Sequence, residues 1–219
     1  MRLTFLGHAA FLIQTAGKRI ITDPYSSEIG YWPIAEHSDI VSLSHENPKW
    51  HSCLDEISGD YEVLRGLELE TPIQRGEITF GAVEVFEEAP ATGPNAMVWL
   101  ESEGIRVLHM GDCGFLPADE TIEKCGRVDV LLALAGGLPT LPLDDLMVFI
   151  EKLQPKIVIP MHFGVPGLQM EALGVAELEK RFDKAQIQRN GASMLEISHG
   201  KLPDALQLQV LEPGRLHGL

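Results

Sequence analysis

The chain has 219 residues, 45% hydrophobic and 22% charged, which suits one globular domain with a sizeable core and excludes a disordered polymer. Its formal net charge of −15 repels phosphate backbones and anionic lipid, so nucleic acid and membrane surfaces are poor partners by default; the expected partner is a small-molecule substrate or ligand. The three cysteines, Cys53, Cys113 and Cys125, form no CxxC pair, which argues against a disulfide framework and for a reducing, cytoplasmic setting.

The chain opens with short apolar stretches broken by Gly7, His8 and Gln14, too short for a signal peptide or a membrane span. The pattern predicts β-structure over Leu3 to Gln14 and Arg19 to Thr22, joined by a hairpin turn at Ala16-Gly17-Lys18. Asp23-Pro24 ends the second run. Further strands are predicted over Asp39 to Ser44, Glu77 to Phe86, Ala96 to Glu101 and Ile105 to Met110, with Glu103-Gly104 as a tight turn. The continuous apolar run Asp129 to Ala135 reads as a strand covered on both faces.

Pro142 and Asp144 start a helix that runs to about Gln154, with Leu146, Phe149, Ile150 and Leu153 at helical spacing. Lys156 to Pro160 is a buried strand, Glu171 to Lys184 a helix, and Gln186 to Arg189 and Met194 to Ser198 late strands. The tail from Pro203 onward carries no assignable pattern. A β-meander followed by β–α–β–α–β gives an α/β (α+β) sandwich in which helices cover two sheets.

Four polar positions follow apolar strands: His8, His45, Asp112 and His162. Layered α/β folds gather their sites on loops at one sheet edge, and loops that each deliver a His or Asp there assemble a metal site. One such histidine taken singly more often has a structural hydrogen-bonding role; the joint pattern raises the metal reading.

These segments together resemble the metallo-β-lactamase superfamily. The likeness is greatest to its small metal-dependent hydrolases, the group that includes L-ascorbate-6-phosphate lactonase. It rests on Leu3-Thr-Phe-Leu-Gly-His-Ala-Ala-Phe-Leu-Ile13, Ile21-Thr-Asp-Pro24, Ser44-His45, Gly93-Pro-Asn95, His109-Met-Gly-Asp112, Val128-Asp-Val-Leu-Leu132, Gly136-Gly137 and Ile159-Pro-Met-His162, which come in the family's order. The resemblance implies a four-layer αβ/βα sandwich of two mixed β-sheets in a single domain spanning 1–219. It also implies a metal centre at the edge between the sheets, where metal-activated water attacks an ester, lactone or phosphoester.

The family's His-x-His-x-Asp-His loop reads here His45-Glu46-Asn47-Pro48-Lys49-Trp50-His51. His45 matches the first ligand, whereas Asn47, Lys49 and Trp50 stand where a histidine, the aspartate and the last histidine belong. The family's third histidine is absent too; Glu87, Glu88 or Thr92 is nearest its place. His45, Asp112 and His162 are therefore the expected metal ligands, with Asp112 and His45 as catalytic residues. A displaced His51, Glu87 or Glu88 is the candidate replacement donor.

Two readings follow. In the first, one divalent metal (zinc first, manganese or iron as alternatives) serves a reduced hydrolase site. In the second, the chain binds no metal and acts as a ligand-binding or regulatory module, with Lys49 as the buried counter-ion of Asp112. His109 is expected beside the site or packed in its strand, and Asp23 as an orienting group or turn cap. His199 and His217 carry no expected role, no nucleophilic thiolate is argued for Cys113, and a homo-oligomer is left open.

Overall fold

Alternating apolar residues from Arg2 to Thr15 build two strands, because the chain reverses at His8-Ala9. A computed structural model describes residues 1–87 and 93–214. β1 (Arg2–Gly7), β2 (Ala10–Thr15) and β3 (Lys18–Thr22) form a meander. Its second turn puts Ala16 and Gly17 at φ 47° and 71°, the left-handed pair of a tight hairpin.

β3 then runs parallel to β4 (Ile40–Leu43) and β4 parallel to β5 (Glu62–Arg65). β13 (Met194–Glu196) closes the other side of β1, giving a six-stranded mixed sheet in the order β13-β1-β2-β3-β4-β5.

The second sheet has eight strands in the order β12-β14-β11-β10-β9-β8-β7-β6. β6 (Ile73–Arg75), β7 (Ile78–Phe86), β8 (Pro94–Ser102) and β9 (Ile105–His109) are antiparallel neighbours. β10 (Val130–Leu134), β11 (Ile157–Met161), β12 (Ile187–Arg189) and β14 (Gln207–Val210) extend the sheet in parallel from β9. β14 lies in the tail that the sequence left unassigned. Its Leu208 and Val210 alternate inward, and a four-residue strand shows too little of that period to be read.

The two sheets face each other across a core that includes Phe5, Phe11, Phe80, Met97, Leu108 and Leu132. α1 (Asp119–Lys124), α2 (Leu143–Leu153) and α3 (Ala176–Glu179) add their buried residues to the same cluster. α2 matches the predicted helix. The predicted helix over Glu171 to Lys184 shrinks to the one turn of α3, since only Leu178 and Phe182 of that stretch are buried. A smaller apolar cluster joins Ala10, Leu12, Ile21 and Val41 to the irregular segment holding Tyr25, Ile29, Tyr31 and Ile34. Loop packing therefore does over this sheet what a helix was expected to do.

Among the described residues no helix is long and apolar enough to cross a membrane.

Candidate metal centre

The segments that follow β1, β3, β4, β9 and β11 converge on one edge between the sheets. There the structure gathers His8, His45, His51, Asp112 and His162, with Asp23 beneath them. All three expected metal ligands are in this cluster. Glu87 reaches its margin, with Oε1 3.8 Å from His45 Nε2. Glu88, Thr92 and His217 lie outside the described residues.

The backbone is unusual where the site is built. His8, Asp23 and His162 have φ of 52°, 37° and 54°, a left-handed conformation that costs about 1–3 kcal/mol and persists at functional sites. Gly111, just before Asp112, is at φ 57°, and a Cβ there would lie 2.3 Å from Asn95 Oδ1. Asn95 holds this turn by donating to Met110 O (3.1 Å) and accepting from the Asp112 amide (3.1 Å).

His51 is the residue whose weight the sequence did not show. Asn47-Pro48 starts a single helical turn, and the Asn47 carbonyl accepts from the amides of Trp50, His51 and Ser52. That turn points His51 inward and fully buries it. Its Nε2 lies 2.9 Å from Asp112 Oδ2, and its Nδ1 lies 3.1 Å from Asp23 Oδ2. The signal was there: His51 is four residues past Asn47, so it returns to the same side of a helical turn.

Lys49 does not take the counter-ion role that the metal-free reading gives it. It is exposed, its ammonium sits 5.4 Å over the Trp50 ring, and no ion pair joins it to Asp112. The physical reason is the same helical turn, which sends Lys49 outward and His51 inward. Trp50 is half-buried and packs against His8, ring to ring at 5.1 Å.

Hydrogen bonds fix which nitrogens face the centre. Asp23 accepts from the Ser44 amide (2.7 Å) and from Ser44 Oγ (2.5 Å). A Ser44 hydroxyl that gives its proton to Asp23 must accept from His45 Nδ1, 2.9 Å away. His45 Nε2 is then a bare lone pair, and it is buried without a hydrogen-bond partner.

His51 meets a carboxylate through each nitrogen, Nδ1 toward Asp23 and Nε2 toward Asp112, so the metal-free ring donates from both, and the Nε2 proton is the one a cation would displace. His109, whose place was open between the site and the strand, makes two bonds of its own: Nε2 donates to Ala9 O (2.8 Å) and Nδ1 accepts from the Gly111 amide (3.0 Å). It holds the turn and has no nitrogen left for a cation.

Charge follows this geometry. Burial opposes ionisation of Asp112, but His51 and His162 outweigh it and hold the carboxyl well below its usual range. Burial likewise opposes protonation of His51, yet Asp112 and Asp23 push it up to about 10. Burial and neighbouring imidazoles keep His8 and His162 below the usual histidine value, so both are neutral.

The donor set fits a divalent cation. The ligand atoms of His8, His51 and His162 all lie within 4.8 Å of one another. His8 Nε2 is 3.3 Å from His51 Nε2, and His162 Nε2 is 3.2 Å from Asp112 Oδ1. Roughly 3.3 Å is the edge of a tetrahedron around zinc with 2.0–2.1 Å bonds to nitrogen. Asp112 Oδ1 and His45 Nε2 are both buried and without a hydrogen bond, although they lie beside imidazoles. Orphaned buried acceptors are costly, and a cation would satisfy both.

A second group, Asp23, His45 and His51, is also close enough for an ion, but its facing atoms are spent on Ser44 and on each other.

A wider depression of about 710 Å³ lies at the far end of β1 to β3, near Lys18 and Glu103. Its Arg2, Lys18 and Arg19 are paired with Glu196, Asp39 and Glu36, and it holds none of the orphaned buried atoms. It lacks the chemistry of the strand-end cluster.

Comparison with known proteins agrees with this architecture. Residues 2–162 match the model of the Beta-lactamase superfamily domain. The chain belongs to the metallo-β-lactamase superfamily.

Within the superfamily, a UPF0173 protein of Pyrococcus furiosus is 31% identical over 199 residues, covering 83% of this chain and 92% of that one. A UPF0173 metal-dependent hydrolase of Methanoculleus marisnigri is 30% identical over 190 residues, covering 74% and 81%. A crystal structure from Thermotoga maritima, assigned as a Zn-dependent hydrolase of the metallo-β-lactamase superfamily, superposes with a TM-score of 0.80 at 29% identity, covering 96% of this chain and 98% of that one.

Proposed function

We propose that this chain is a metal-dependent hydrolase whose cation is held by His45, Asp112 and His162, joined by His51 and His8. The observation that carries the reading is the pair of orphaned buried acceptors, His45 Nε2 and Asp112 Oδ1, set among the imidazoles of His8, His51 and His162, where His8 Nδ1 and His162 Nδ1 are also buried without a hydrogen bond. The names of the relatives and of the Thermotoga structure support it. The nitrogen-rich set favours zinc over manganese or iron.

A divalent cation bound there supplies Lewis acidity and brings the pKa of a water toward neutrality. The chain's own residues do the rest. Asp23 holds the His51 ring by Nδ1, and Ser44 holds the His45 ring, so each presents Nε2 inward; such outer partners set ligand orientation and basicity. Asp112 keeps 15% of its side chain exposed, which leaves it at the solvent side of the cluster, where a substrate arrives. Its carboxylate can take the proton of an attacking water.

Substrates in this reading are small esters, lactones or phosphoesters, and the setting is cytoplasmic. Nothing at Lys49 supports the ligand-binding module, since its charge lies over Trp50 and away from Asp112. The test is hydrolysis of 4-nitrophenyl acetate by zinc-loaded protein, with Asp112→Asn as control. The reading expects turnover that chelation removes and that falls by at least a hundredfold in the variant. Turnover indifferent to both would reject it.

A further inference from the structure

The loops around the metal centre differ sharply in charge. Those that follow β9, β10 and β11 carry no charged side chain from Cys113 to Ala118, from Ala135 to Pro142 or from Phe163 to Met170, in a chain that is 22% charged. Loops on a protein surface are normally its most polar part. Among the described residues, five of the seven exposed large apolar side chains sit on this edge, the other two being Val148 on α2 and Met194 on β13. Phe115 follows Asp112, Leu138 follows β10 and is 73% exposed, and Leu173 lies in the segment after His162. Trp32 and Leu67, also exposed, follow β3 and β5 at the same edge.

These loops are laced together. The Leu141 amide donates to Cys113 O (2.9 Å), and the Leu173 amide to Gly136 O (2.8 Å). The Gln169 amide donates to Ile29 O (3.0 Å), which ties the loop after β11 to the segment leading to Trp32. Gly136 packs so closely on His162 that a Cβ there would meet the His162 carbonyl at 2.1 Å. The uncharged surface is therefore fixed against the metal ligands. Exposed apolar surface of this kind beside a polar centre marks a place where a ligand or partner is bound.

Among the described residues, few cations stand at this mouth. Arg65 is bound to Glu46 at 2.8 Å beside a cavity of about 120 Å³ that runs along His45 and is walled by Leu43, Gly66 and Leu67. By liquid packing that cavity holds about four non-hydrogen atoms. Lys49 is exposed, with its ammonium 5.4 Å over the Trp50 ring.

We infer that the substrate is uncharged and carries an apolar chain, which lies on the surface formed by Phe115, Leu138 and Leu173 while its reacting group meets Asp112. This rests on the hydrolase reading and narrows it: phosphoesters and other anions are poor substrates, and neutral esters or amides with an aliphatic tail are good ones.

The test measures binding of straight-chain amides to metal-free protein by ligand-observed NMR, so it does not depend on metal loading or turnover. Affinity should rise at least tenfold from butanamide to octanamide, within the roughly fourfold per methylene that full burial provides. Octyl phosphate should bind at least tenfold more weakly than octanamide. The variant Leu138→Ser/Leu173→Ser, changed at exposed positions, should lose at least tenfold of the octanamide affinity and none of the metal affinity.

Octyl phosphate binding as tightly as octanamide, or no dependence on chain length, would overturn the inference. So would a double variant that changes only the sedimentation coefficient, which would assign the patch to a second copy of the chain. A protein that takes up no zinc yet binds octanamide as described would sink the hydrolase reading and leave the apolar binding surface standing.

Discussion

One imidazole links two buried carboxylates: His51 reaches Asp112 through Nε2 at 2.9 Å and Asp23 through Nδ1 at 3.1 Å. In metal-free protein this ring is the cation that both acids need. His51→Gln should destabilise the metal-free fold by about 3 kcal/mol, the order expected when one partner of a buried pair is lost. Because the folded value of His51 is raised from 6.5 to about 10, its contribution is fully present below pH 6.5 and disappears as pH rises through 10. Urea unfolding of both proteins at pH 6 and pH 10 should therefore show a large gap at the lower pH and a small one at the higher. A constant gap would contradict the assignment.

Asp23 touches no open space and should act only through His51 and Ser44. Asp23→Asn should weaken zinc affinity about 10- to 100-fold, as losses of such orienting partners do. Competition with a chromophoric chelator measures this. An unchanged affinity would show that ring orientation is set elsewhere.

Lys49→Met should alter stability by less than about 0.5 kcal/mol, because the side chain is exposed and pairs with no acid. The metal-free reading, with Lys49 as counter-ion, expects a clear loss here, so thermal unfolding of this variant separates the two accounts of what balances Asp112.

The thiols test the packing beside the site. Burial pushes Cys113 and Cys125 up to about 12, whereas Cys53 is only part-buried. Iodoacetamide at pH 8 should label Cys53 alone in native protein and all three in denaturant, read by peptide mass spectrometry. Raised thiol values also mean that stability is lost as pH climbs above about 9, since the unfolded thiols ionise first.

The sequence revealed most where several strands ended on polar residues. His45, Asp112 and His162 stand far apart in the chain, yet parallel strands must end at one edge, and that rule brought them together. β5, β6 and β14 were illegible because three or four residues hold too little alternation to stand out, and their pairing comes from neighbouring strands.

His51 was undervalued for a different reason. A loop motif compared position by position put Trp50 in the ligand's place, and only the turn begun at Asn47-Pro48 shows that the next residue points inward. Lys49 was misplaced by the same turn. Hydrogen-bond direction, which decides the lone pair of His45 and the orientation of the His51 ring, lies in contacts to Ser44 and Asp23 that no spacing records.

The central claim is that the five-residue cluster holds a divalent cation, and metal content by plasma mass spectrometry tests it most directly. Protein purified without chelator, without a histidine-rich tag and then exchanged against zinc should retain at least about one equivalent, and Asp112→Ala or His51→Ala should lose it. Wild-type protein that remains metal-free after zinc exchange, or variants that bind as much metal as wild type, would contradict the account.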